Sequence, residues 1–154
     1  VEVHVTYSTP EKFEFPILQW DPAKKLWRLT EDYTFEWVNK KGIRCRRTIK
    51  KGTEYDKASV PRPLWGLART DGPWEPSSLL HDDEYKQCQH GGTFEPGSYQ
   101  QFINGTWVDV PKMSRWDSDE LLEYVGVLGG ATPAEASEYK WAVRLYPENW
   151  LKGF

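Results

Sequence analysis

The period of the hydrophobic pattern changes once along this chain, and that change fixes the fold class. In the first half, apolar side chains recur every second residue, the spacing of a strand with one buried face. Val1, Val3, Val5 and Tyr7 alternate with Glu2, His4 and Thr6. Lys25–Thr30 and Tyr33–Val38 read as further strands. Asn39–Gly42 is a turn signal, Ile43–Lys50 follows as the partner strand, and Gly52 closes it. Pro61, Pro63, Gly66, Gly72 and Pro73 then punctuate a long loop that also holds Trp65 and Trp74.

Beyond that loop the period becomes helical. Ser77 or Ser78 is expected to cap a helix running to about Cys88 and stopping before Gly91 and Gly92. Gly105–Val110 reads as a short strand. Ser114 caps a second helix, with Asp117 at the reciprocal position and Leu121, Leu122, Val125 and Leu128 as its apolar stripe; Gly129 and Gly130 end it. Thr132, Pro133 and Glu135 open a third helix carrying Ala136, Tyr139, Val143 and Tyr146. The fold class is therefore α+β, with an N-terminal antiparallel sheet or hairpins followed by about three helices packed on it. A length of 154 residues suits a single domain spanning 1–154. Within it, 1–52 is the β-rich half, 53–76 the loop and 77–154 the mainly helical half.

Composition narrows the function classes. A net charge of -3 and a pI near 5.7 argue against nucleic acid as a partner. The basic cluster of Lys40, Lys41, Arg44, Arg46, Arg47, Lys50 and Lys51 is read as the solvent face of a strand. No transmembrane segment is expected, because no run approaches the roughly 20 apolar residues of a membrane span. No secretory signal is visible, and the chain opens on Val1. Cys45 and Cys88 are expected as two reduced thiols rather than a disulfide scaffold. Nine tryptophans and eight tyrosines suit both a small core and a docking surface.

The stretch with chemistry in it is Ser77–Lys86, which holds one of only three histidines in the chain. On a helix, His81 and Tyr85 share a face, while Asp82 points about 100° away from His81. His81 and Asp82 therefore do not form a dyad with each other. They suit two tasks at one site, the imidazole as base and the carboxylate as metal ligand. An acid from elsewhere must orient His81. Asp56, in the loop after the last strand of the first half, and Asp119, on the second helix, are the two candidates. The alternative is an acidic, solvated helix face with a histidine in it, Asp119 a surface acid and Asp56 a turn former. Ser59 reads as a loop hydroxyl supporting Asp56. Cys88 and His90 are too few for a zinc site.

In order along the chain stand Asp56-Lys57-Ala58-Ser59-Val60-Pro61, His81-Asp82-Asp83-Glu84-Tyr85, Arg115 with Asp119, and an aromatic C-terminal helix over Tyr139–Trp150. This series, from about Glu31 to the end, resembles a family of small proteins of unknown function encoded by bacteriophages and prophages. More loosely, a His-Asp-x-x-Tyr helix followed by an acid on a second helix looks like the active site of secreted phospholipases. That likeness implies His81 as the base, Asp82 as a calcium ligand, Asp119 as the orienting acid and Tyr85 as a supporting donor. Here Leu80 and Lys86 stand where those enzymes carry cysteines, and no glycine-rich calcium loop precedes the helix. Zinc or magnesium held by Asp56, His81 and Asp82 is the alternative to calcium.

Two readings follow. In the first, His81, Asp82, Asp56 and Asp119 form a metal-assisted, water-activating site of a phage-encoded hydrolase, supported by Ser59 and Arg115. It would cleave an ester or amide of the host envelope. In the second, the chain is a non-enzymatic virion protein of tail, neck or baseplate, and the same residues form a structural polar network. Its partners would be phage structural proteins, its location the virion or the infected bacterial host cell. A phage factor that binds a host protein or a small signalling molecule is a third reading.

Overall fold

The computed structural model describes residues 13–55 and 75–145. Strands β1 (Leu18–Asp21), β2 (Leu26–Leu29), β3 (Tyr33–Val38), β4 (Arg44–Ile49) and β5 (Glu54–Tyr55) precede helix α1 (Glu75–Cys88). Strands β6 (Tyr99–Ile103) and β7 (Thr106–Asp109) lead to helices α2 (Arg115–Leu128) and α3 (Pro133–Leu145). The strands form two antiparallel sheets, one ordered β1-β2-β5 and the other β3-β4-β6-β7. The architecture is α+β. The expected strand over Val1–Tyr7 and most of the 53–76 loop lie outside the described residues.

Alternation builds the larger sheet. Tyr33, Phe35 and Trp37 of β3 and Cys45, Arg47 and Ile49 of β4 face inward, with Thr34, Glu36, Arg44 and Arg46 between them on the outer side. The inner face meets Leu79 and Leu80 of α1 and Leu121 and Val125 of α2 in one core. Burying each of these leucines stabilises the fold by about 1.5–3 kcal/mol. Trp37 stacks nearly parallel on Tyr99 of β6, with ring centroids 6.1 Å apart. Cys45 and Cys88 are both free and buried.

Three strands were not anticipated. β5, two residues paired with β2, falls at the start of the segment expected as loop. β1 is only four residues, and it is turned into β2 by Asp21, whose Oδ1 accepts from the amides of Ala23 and Lys24 at 3.0 and 3.2 Å. β6 contains two glutamines, which blur the period-2 signal. Its pairing with β7 was signalled by Asn104 and Gly105, whose positive φ values of 50° and 82° make the two-residue turn suited to a hairpin.

One cap expectation is corrected. Ser77 and Ser78 lie inside α1 and are buried between helices. Ser77 Oγ donates to the Leu122 carbonyl at 2.5 Å, and Ser78 Oγ meets the Tyr139 hydroxyl at 3.2 Å. The caps of the other two helices are as expected. Ser114 Oγ accepts from the Asp117 amide at 3.0 Å. Thr132 Oγ1 accepts from the Glu135 amide while Glu135 Oε1 accepts from the Thr132 amide, a reciprocal box at 3.2 and 3.3 Å.

The helices run antiparallel in sequence. Going forward along α1, Ser77 meets Leu122, His81 meets Asp119 and Glu84 meets Ser118. Going forward along α3, Lys140 meets Glu120 and Glu123, and Arg144 meets Asp119 and the Trp116 carbonyl. The seam between α1 and α2 is thus lined by polar side chains, and it holds the candidate site.

Candidate functional site

Helical spacing places His81 and Tyr85 on one side of α1, their ring centroids 4.2 Å apart. Asp119, in the second turn of α2, faces them. His81 Nε2 stands 2.8 Å from Asp119 Oδ1, and the Tyr85 hydroxyl donates to that same oxygen at 3.0 Å. Arg144 Nε of α3 donates to Asp119 Oδ2 at 3.1 Å. All three helices therefore contribute to fixing one carboxylate. His81 is 1% exposed, Asp119 0% and Tyr85 3%.

Electrostatics follow from these contacts. Burial pushes the Asp119 carboxyl up, but the hydrogen bond and charge of His81, with Tyr85 and Arg144, outweigh it, and the net shift is below 3.8. The Tyr85 phenol is held well above 10 by burial first and by the Asp119 charge next, so it stays a donor. A carboxylate only accepts, so the hydrogen between Asp119 and His81 sits on Nε2.

Asp82 is not in this group. It points away, as its neighbouring position on the helix requires, and its Oδ2 lies 2.9 Å from Lys86 Nζ. Burial raises its carboxyl above 3.8, against the pull of Lys86. Among the described residues, no three His, Cys, Asp or Glu side chains stand together so as to hold a metal ion. A metal set built on Asp82 needs Asp56, and both Asp56 and its supporting Ser59 lie outside the described residues. Arg115 lies beside the site, with its guanidinium against the Tyr85 hydroxyl and its Nη2 donating to the Arg144 carbonyl at 3.2 Å.

A second polar cluster, missed in the sequence, sits on the same seam. Arg47 is fully buried, which corrects its reading as part of a solvent-facing basic strand. In β4 the strict two-residue alternation turns Arg44 and Arg46 outward, where they lie over the rings of Phe102 and Trp107, and turns Arg47 into the core. There it pairs with Asp83 and with Glu84 Oε2 at 2.9 Å, and its Nε donates to the Ser98 carbonyl at 2.9 Å. Ser118 Oγ donates to Glu84 Oε1 at 2.5 Å, and Gln87 Nε2 donates to Asp83 Oδ2 at 2.9 Å. Asp83 and Glu84 are buried in the second half of α1, so this acidic stretch is not a solvated face. The signal for Arg47 was its position two residues from both Cys45 and Ile49.

A cleft of about 710 Å³ lies between α2 and the β3–β4 side of the sheet. Trp37, Tyr99, Met113, Trp116, Glu120 and Tyr124 contribute to its lining, and none of the candidate site residues does.

The model of a family described as "Protein of unknown function (DUF1353)" matches residues 27–125, which include His81, Asp82, Tyr85 and Asp119 and end before α3. No curated protein and no solved structure matches the chain.

Proposed function

We propose, for a chain that belongs to that family of unknown function, the reading of a hydrolase that activates water with His81. The observation that carries it is the hold on Asp119: one carboxylate accepts from Tyr85 and Arg144 and takes the Nε2 side of His81 at 2.8 Å. This is the base-and-orienter arrangement that water activation needs. His81 Nδ1 takes the proton of an attacking water, Asp119 stabilises the imidazolium that forms, and the imidazolium returns the proton to the leaving alcohol or amine as the acyl bond breaks. Tyr85 and Arg144 keep the carboxylate from rotating.

The reaction class is acyl transfer to water, with an ester or amide as substrate. A bacterial envelope substrate and a phage source rest on the motif series alone. Calcium is the cofactor this reading names, with zinc or magnesium as alternatives, and Asp82 and Asp56 as its holders. When bound, such a cation supplies a Lewis acid for the developing oxyanion. Every other step belongs to the side chains described above.

The test is hydrolysis of a panel of p-nitrophenyl acyl esters, acyl anilides and phospholipid vesicles by the wild type, His81→Asn and Asp119→Asn. The reading expects turnover by the wild type, its loss in His81→Asn and a reduced kcat in Asp119→Asn. Turnover equal in the wild type and His81→Asn across the panel ends it.

The full burial of His81 and Asp119 favours a second reading, a structural network that pins α1 to α2 and α3. It expects His81→Asn to lower stability by about 1–3 kcal/mol with no associated activity.

A further inference from the structure

The cleft of about 710 Å³ beside α2 is of a size that takes a small organic ligand. Its aromatic side chains are held in place. Trp37 stacks on both Phe35 and Tyr99, with ring centroids 5.8 and 6.1 Å away. Trp116 lines the same cleft with 56% of its surface exposed, and the Arg144 guanidinium lies 3.6 Å from its ring. An exposed indole fixed by a cation is a ready platform for an apolar ring face.

Charges line the cleft too, and they match. Asp117, Glu120 and Glu123 come from α2, and Lys40 and Lys41 from the turn after β3. Lys40 Nζ reaches Glu120 Oε2 at 3.8 Å. Lys140 of α3 serves Glu120 at 3.4 Å and Glu123 at 3.2 Å. Three lysines therefore offset three carboxylates. A ligand with net charge would upset that balance. A wholly apolar one would strip water from carboxylates and ammonium groups and give no hydrogen bond in return. A ligand without net charge, with hydroxyls around an apolar ring face, meets both conditions. Carboxylates held by cations keep lone pairs for hydroxyl donors, and the lysines donate to hydroxyl oxygens.

We propose that this cleft binds an uncharged carbohydrate, a short oligosaccharide that lays one sugar ring on Trp116 and directs hydroxyls to Glu120 and Glu123. The site stands independently of the hydrolase reading, since none of the residues of that reading lines the cleft.

The test is titration of the full chain with maltotriose, cellotriose and triacetylchitotriose as neutral sugars, with sialyllactose as a charged sugar and decanoate as an apolar chain. Tryptophan fluorescence and the thermal unfolding midpoint are the readouts, and Trp37 remains as a reporter when Trp116 is replaced. The expected result is a saturable response to at least one neutral sugar. It should weaken about tenfold in Trp116→Ala, weaken in Glu123→Gln, and stay unchanged in His81→Asn. Glu123→Gln decides the matter if Trp116→Ala does not fold. Saturation by sialyllactose alone or decanoate alone overturns the proposal in favour of a charged or an acyl ligand. So does the absence of saturation with all five, or a sugar response that both cleft variants leave unchanged. Sugar binding that persists in His81→Asn while no ester or amide is turned over would retain the cleft site and remove the hydrolase reading.

Discussion

Arg47 on a strand and Glu84 on a helix meet at 2.9 Å with neither side chain exposed beyond 2%. Burial alone pushes the Glu84 carboxyl up, and the Arg47 charge and the Ser118 hydroxyl pull it back only in part. The pair, with Asp83, is therefore a costly arrangement when complete and a costlier one when broken. Arg47→Met, which leaves two buried acids without their cation, should destabilise by about 3–5 kcal/mol. Urea unfolding with an unchanged m-value is the measurement. A loss under 1 kcal/mol would mean that Asp83 and Glu84 reach water when Arg47 is removed.

Asp119 should set part of the acid limb of stability. Its folded pKa is depressed below 3.8, so its contribution is full above the unfolded value and is lost as pH falls through the folded one. Asp82 and Glu84 are raised and act with the opposite sign, favouring the folded state more as they become protonated. Asp119→Asn should therefore cost stability at neutral pH and show a shallower loss below pH 3.8 than the wild type. Unfolding midpoints from pH 2 to 7 would show it; parallel curves would remove Asp119 from that limb.

Metal binding through Asp82 and Asp56 predicts a rise in the unfolding midpoint when calcium, zinc or magnesium is added after chelation. A metal at one hundred times its Kd adds about 2.7 kcal/mol. The rise should vanish in Asp82→Asn. If all three metals leave the midpoint where chelator left it, the cation drops out and the His81–Asp119 pair stands alone.

The reciprocal box at the start of α3 matters because that helix carries Arg144 to Asp119. Thr132→Ala should cost about 1 kcal/mol, or roughly 3–4 °C in midpoint for a chain of this size. Circular dichroism on heating would record it.

What could be read in the sequence was whatever followed from period. The alternation over Tyr33–Val38 and Arg44–Ile49 matched the strands there, and the serine and threonine caps of α2 and α3 matched their helices. What failed did so where polar residues are buried. Arg47 was read as solvated because charge usually is, although its parity with Cys45 and Ile49 said otherwise. Ser77 and Ser78 were read as caps because serine favours that position, whereas they pack against Leu122 and Tyr139. Asp119 stood at the margin of an apolar stripe, and a helical wheel cannot say that a third helix will close over that margin. Arg144, which does so, carried no signal of its own.

The same seam bears on how the chain can be divided. The cation of Arg47 comes from the β-rich half, and its two acids come from the helical half. Separated, each half would lose the counter-ions of these charges and expose its share of the core, so the paired state is favoured over either half alone. A cut in the chain between Tyr55 and Glu75 would then leave two pieces whose best partner is each other. Complementation of separately produced halves, rather than folding of either, is the behaviour this arrangement builds in.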